Sequence, residues 1–144
     1  MTSHYWIAAL AAIAAPVSGA TTNVEMRNAS GGQFMVFAPT FVRVAPGDTV
    51  TFKAIDKGHD AETIASRLPA GAQPFKGKMG QDVSVTFTKP GLYGIKCNPH
   101  FGMGMVALVQ VGPKPASLDA ARAAAAALPG LARKTMAALL AQVR

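Results

Sequence analysis

The sequence is short of cysteine, of acidic residues and of long apolar runs. Its 144 residues hold one cysteine, three histidines, and seven acidic residues against fourteen basic ones. A single cysteine excludes an internal disulfide. No apolar run reaches the ~20 residues that a membrane-crossing helix needs, so no membrane span is expected. Only 15% of the residues are charged and 50% are hydrophobic, which argues against disorder and against a fibrous repeat. The basic excess of +7 raises the question of nucleic acid, but no segment concentrates arginine beside aromatic residues. No nucleic-acid partner is expected.

What is present begins with a leader. Trp6 to Ala15 is apolar, Pro16 follows, and Ser18-Gly19-Ala20 is a small-residue cleavage site. Residues 1–20 therefore read as a signal peptide, although positions 1–5 contain no Lys or Arg. Its removal leaves residues 21–144, and His4 goes with it. A lone cysteine in an exported chain calls for a chemical reason, and metal ligation is one. The stretch Cys97-Asn98-Pro99-His100-Phe101-Gly102-Met103-Gly104-Met105 supplies a thiolate, an imidazole and two thioethers. Such a soft set suits copper held by two His and one Cys with a weak axial Met. His59 is the only histidine left for the second imidazole. Spacing alone leaves both Met103 and Met105 open as the axial ligand.

From Thr22 to Val111 short alternating runs are separated by turn residues, the pattern of an all-β sandwich or barrel. Strands are expected around Val24 and Met26, at Gln33–Phe37, Phe41–Val44, Val50–Ala54, Val83–Phe87, Leu92–Lys96 and Val106–Val111. Gly31-Gly32, Pro46-Gly47-Asp48 and Pro90-Gly91 mark turns. The stretch 61–78 reads as a short helix plus an irregular loop. After Gly112-Pro113-Lys114-Pro115 the composition changes. Ser117 reads as the N-cap of an alanine-rich helix to about Leu128. Pro129-Gly130 breaks it, and a second helix follows over Leu131–Val143, with Leu131, Met136, Leu139, Leu140 and Val143 packing on the sheets.

The ligand loop KCNPHFGMGMVALVQVG resembles that of the cupredoxins, and within them the pseudoazurins. The blocks MVFAPTFVRVAPGDTVTF and DKGHDAETI carry the same likeness, which extends from Asn23 to the C-terminus. The resemblance implies a cupredoxin Greek-key fold over residues 21–113, with a two-helix extension of the same domain over 114–144. It also implies one type 1 copper cycling between Cu(I) and Cu(II), and single-electron transport in the periplasm. The ligands it implies are His59, Cys97, His100 and Met105, because Met103 matches a methionine that does not bind the metal. An x2 methionine, as Met103 would be, resembles the amicyanins, which lack such a helical tail.

Several further expectations follow. Asp60, Asn98 and Pro99 lie beside the ligands. The Asp60 N–H is expected to donate to the Cys97 sulfur, whereas Pro99 has no N–H to offer. The resemblance calls for Asn at position 60 and Thr at 98, so the Asp60 carboxylate is expected to accept from Asn98 instead. His100, framed by Met35, Met103 and Phe101, is the expected electron port. Lys57, Lys76, Lys78 and Lys96 match family lysines that dock acidic partners, and such charges quicken encounter. The partners implied are a nitrite or nitrous oxide reductase and an upstream donor such as a cytochrome, met as a monomer in transient complexes. An enzyme is not expected. A Cys–His hydrolase built on Cys97 leaves Met105 without a role, structural zinc avoids thioether, and a copper carrier should release its metal readily.

Overall fold

The computed structural model describes residues 19–144; positions 1–18 of the expected leader lie outside them. Among the described residues, eight strands precede two helices. The strands are β1 (Thr21–Ser30), β2 (Gln33–Ala38), β3 (Phe41–Val44), β4 (Asp48–Ala54), β5 (Glu62–Thr63), β6 (Val83–Phe87), β7 (Gly91–Lys96) and β8 (Val106–Val111). A single 3-10 turn, Phe101–Met103, interrupts the β7–β8 connection, and α1 (Leu118–Ala125) and α2 (Gly130–Leu140) close the chain.

The strands form two four-stranded sheets, ordered β2-β1-β4-β6 and β3-β8-β7-β5. The two sheets remain separate and stack as a sandwich rather than closing into a barrel. β1 runs parallel to β4 and β3 parallel to β8, while the other pairs are antiparallel. In the first sheet, alternation does what the sequence pattern predicts. Val50 and Phe52 point into the core, while Thr49 and Thr51 face outward and bond across the ladder to Thr86 and Ser84, each at 2.8 Å.

The second sheet is covered on both faces, which explains why every residue of β8 is buried and all but Gln110 are apolar. Ala107, Val109 and Val111 belong to the core between the sheets. Val106 and Leu108 belong to a second core, shared with Leu118, Ala121, Ala125, Ala132, Met136, Leu139, Leu140 and Val143 of the tail. Successive β8 side chains thus enter different cores, as the two-residue period of a strand dictates. The chain end is tied in as well, for the Gln110 Nε2–H donates to the Arg144 carbonyl at 3.0 Å.

Four local readings are corrected. No helix forms within 61–78; Pro69, Gly71 and Pro74 break any helical run, and the segment is held by long-range bonds. Thr63 N–H donates to the Phe75 carbonyl at 3.0 Å, and Ile64 N–H to the Gly94 carbonyl at 2.8 Å. α1 ends at Ala125, because Ala126, Ala127 and Leu128 instead take bonds to the third residue back, the tighter winding common at helix ends. Ser117 occupies the N-cap without a side-chain capping bond. Leu131 is 57% exposed, and its Cβ faces Gly104 of the loop that joins β7 to β8 rather than the sheets.

Candidate metal centre

The β7–β8 hairpin opens at its end into the loop 97–105. Cys97 N–H donates to the Met105 carbonyl at 3.1 Å, continuing the ladder by one pair, and Met105 N–H donates to the His100 carbonyl at 3.2 Å. These two bonds bring positions 97, 100 and 105 into one small volume. The helical tail buttresses the loop from outside. Gly104 has φ +92, and a Cβ there would stand 2.8 Å from Thr135 Oγ1 and 3.3 Å from the Leu131 Cβ. Only glycine meets both demands.

His59 arrives from the other half of the chain, on the segment after β4. Its carbonyl accepts from Gly80 N–H at 2.8 Å. His59 Nδ1 lies 3.7 Å and His100 Nδ1 3.5 Å from Cys97 Sγ, and the three potential ligand atoms all fall within 4.8 Å of one another. Bond lengths of the kind zinc makes, about 2.3 Å to sulfur and 2.0–2.1 Å to nitrogen, would set S···N separations of roughly 3.6–3.8 Å. The observed spacings fit one ion held between the three groups. Met105 is fully buried in the same core cluster as Cys97, whereas Met103 is 54% exposed. Burial therefore separates the two thioethers that spacing left open.

Protonation matches this chemistry. Burial, reinforced by the neighbouring His100, pulls the His59 pKa below its ordinary value, so the imidazole is neutral and able to bind a cation. Burial pushes the Cys97 thiol up, and the Asp60 carboxylate adds to this, while the backbone amides of Asp60 and His100 pull the other way. The His100 N–H itself donates to the Cys97 carbonyl at 3.3 Å. A cation that binds sulfur reverses the balance, since a coordinating thiol is deprotonated outright.

The Asp60 carboxylate accepts from Asn98 as expected, and from its backbone N–H as well as its side chain. Asp60 accepts from the backbone N–H of Asn98 at 2.6 Å, and the side-chain bond from Asn98 Nδ2 is long, at 3.4 Å. The Asp60 carboxylate is buried while the Asn98 side chain is exposed, so the amide is the nearer donor. Sequence reasoning missed Asn28 altogether. Its Oδ1 accepts from His59 Nε2–H at 2.8 Å, which leaves Nδ1 bare and turned toward Cys97. Nothing local marks Asn28, because it lies on β1 and reaches His59 only through the tertiary fold. Met35 stands opposite Asn28 in the β1–β2 register, between the pairs Arg27–Val36 and Ala29–Phe34. Its φ of +49 is a left-handed conformation that a methionine adopts only at a cost. Partners that orient a ligating histidine typically govern metal affinity by 10–100-fold. Asn28→Ala should accordingly weaken copper retention by about that factor, as measured by competition with a chelator.

His100 is half-buried, in contrast to His59, and Asn98 and Pro99 beside it are exposed. Phe34, Ile55, Met79, Met103 and Leu131 are the large apolar side chains exposed among the described residues, and Met103 lies within the ligand loop itself. Phe101 packs toward the helical core. Lys57, Lys76 and Lys78 are exposed. Lys96 is engaged at home: its Nζ lies 3.2 Å from Glu62 Oε1 and 5.0 Å from the centre of the Phe101 ring.

A sandwich whose two halves converge two imidazoles and a thiolate on one point, beside a buried thioether, defines a blue copper protein. Residues 23–112 match the model of copper binding proteins of the plastocyanin/azurin family. The chain is 52% identical to a pseudoazurin of Paracoccus pantotrophus over 94% of its own length and 92% of that protein's. It is 48% identical to a pseudoazurin of Methylorubrum extorquens over 74% and 72% of the two chains. The crystal structure of native pseudoazurin from Hyphomicrobium denitrificans superposes with a TM-score of 0.81 at 45% identity, covering 87% of this chain and 99% of that one. The chain belongs to the cupredoxin family, in its pseudoazurin branch. It is an electron carrier with one type 1 copper, not an enzyme. Among the described residues no helix is long and apolar enough to cross a membrane.

Proposed function

We propose that this chain is an exported, periplasmic carrier that takes one electron from a donor such as a cytochrome and gives it to a nitrite or nitrous oxide reductase. In this reading His59, Cys97, His100 and Met105 would hold the copper. The approach of two imidazole nitrogens and one sulfur to within 4.8 Å carries the reading. Copper so held supplies a one-electron couple. The protein's part is to keep the ligand cage fixed: the Cys97–Met105 ladder pair, the Asn28 bond to His59 and the Asp60 bond to the Asn98 amide all hold ligand-bearing backbone or rings in place. Four protein ligands leave no open position for a substrate, unlike a catalytic metal site.

Electrons pass at His100, whose partial exposure beside Met103 supports contact with a partner's surface. Lys57, Lys76 and Lys78 are the free docking charges, set to meet an acidic face in a transient complex of monomers; Lys96 is held back by Glu62. Exposed charges of this kind steer association and are screened within about 8–10 Å at moderate salt. Reduction kinetics against each candidate reductase test the assignment. The second-order rate should fall steeply with ionic strength for the true partner. Reversal of Lys57, Lys76 and Lys78 to Glu should lower that rate by about tenfold or more at low salt and abolish or invert its fall with ionic strength. A rate indifferent to salt for every reductase would remove the docking assignment.

A further inference from the structure

Away from the metal centre, a cleft of about 500 Å³ lies between α1 and the chain segments on either side of β7. Arg67 lines it and is the one residue there whose state is unexplained. Its side chain is only 6% exposed, and its stem lies against Gly94, where an added Cβ would come within 2.6–2.7 Å of the Arg67 Cγ and Cβ. The Nε–H has no hydrogen-bond partner among the described residues. None of the ion pairs among the described residues involves this guanidinium, and residues 1–18 contain no Asp or Glu to supply one. Burying a charge is costly, and buried charges are ordinarily paired.

We propose that this cleft is a binding site for a small organic monocarboxylate, held by Arg67 and seated against α1. A guanidinium presents its N–H groups in a planar fork that a carboxylate matches with two parallel bonds. One buried positive charge balances one negative charge, so a monoanion fits better than phosphate. The walls set the rest of the ligand: Leu92 and Ala121 line the cleft and are buried apolar residues, suited to an apolar body. A volume of this size lies within the range of small-molecule sites. Lys89 and Ser117 stand at the exposed rim. The Lys89 ammonium attracts an incoming anion, and the Ser117 hydroxyl, which caps no helix N–H, remains free to bond it. Asp119, on the first turn of α1, does not line the cleft and is paired with Arg122 at 3.3 Å.

Benzoate is the probe. It is titrated into the copper(I)-loaded mature chain at constant ionic strength while backbone amide shifts are followed by NMR. Saturable shifts are expected at Arg67, Leu92 and Ala121, with a millimolar or tighter midpoint and none at His100. Arg67→Met should weaken binding by at least about tenfold, a change of roughly 1.4 kcal/mol, while the oxidised form keeps its blue colour. If that variant fails to fold, Ala120→Trp, which adds bulk at an exposed position lining the cleft, should abolish the shifts with Arg67 in place. Absence of saturable shifts, or unchanged binding in a folded variant of either kind, overturns the site. Inorganic phosphate shifting the same amides as strongly as benzoate overturns the assignment to a carboxylate.

Discussion

Cys97→Ser abolishes the blue colour that appears when copper(II) is added to the metal-free protein. In the proposed ligand set Cys97 is the only thiolate, and it is the only cysteine in the chain, so no neighbour can replace it. The serine oxygen is a hard donor and its proton is far harder to displace, whereas the soft sulfur is what selects copper in such a site. The position is fully buried, so a stray water has little access to complete the coordination. The same substitution should reduce copper affinity by several orders of magnitude, since a thiolate ligand contributes much of the binding free energy of a site like this. Visible absorption and a chelator competition measure the two effects separately. An intense blue band surviving in the serine variant is incompatible with the proposed ligation, whichever reductase the protein serves.

Asp60→Asn raises the reduction potential. The carboxylate sits next to His59 in the chain and accepts the Asn98 amide at 2.6 Å, directly beside Cys97, so its charge acts on the centre from close by. A negative charge favours the more positive oxidation state, here Cu(II), and therefore lowers the potential. At an effective dielectric of about 20, two unit charges roughly 6 Å apart interact by about 3 kcal/mol, on the order of 100 mV for a one-electron couple. The asparagine keeps an oxygen that can accept from the Asn98 amide, which separates the loss of charge from the loss of the bond. Asp60→Ala is the informative companion. It should match the shift of the asparagine variant and in addition loosen the loop, seen as faster copper loss to a chelator. A potential unchanged in Asp60→Asn would mean that solvent screens the carboxylate entirely.

Much of this centre was legible in the linear chain because three of the four proposed ligands fall within nine residues of one hairpin loop. Their residue types fix the metal chemistry before any geometry is known. His59 was legible for a poorer reason, that His4 belongs to a segment expected to be removed. Strand positions were legible where one face is wet, as in β4, since alternation then survives in the sequence. β8 was legible as a strand, but its nearly all-apolar composition hid which residues face which core. The second layer that explains it, α1 and α2, could be predicted as helices but not placed. The stretch 61–78 was misread in part because its structure is held by bonds to Phe75 and Gly94 rather than by local propensity.

The soft ligand set, the family likeness, the sandwich class and the helical tail can be read along the chain, because each rests on residue type or on a short period. The fold alone reveals which thioether is buried in the core cluster of Cys97, that Asn28 orients His59, that Lys96 is spent on Glu62 and Phe101, and that Arg67 lies buried without a counter-charge. Those facts depend on which side chains meet across sheets and layers. Meetings of that kind are set by the packing of segments far apart in the chain, which no local pattern records.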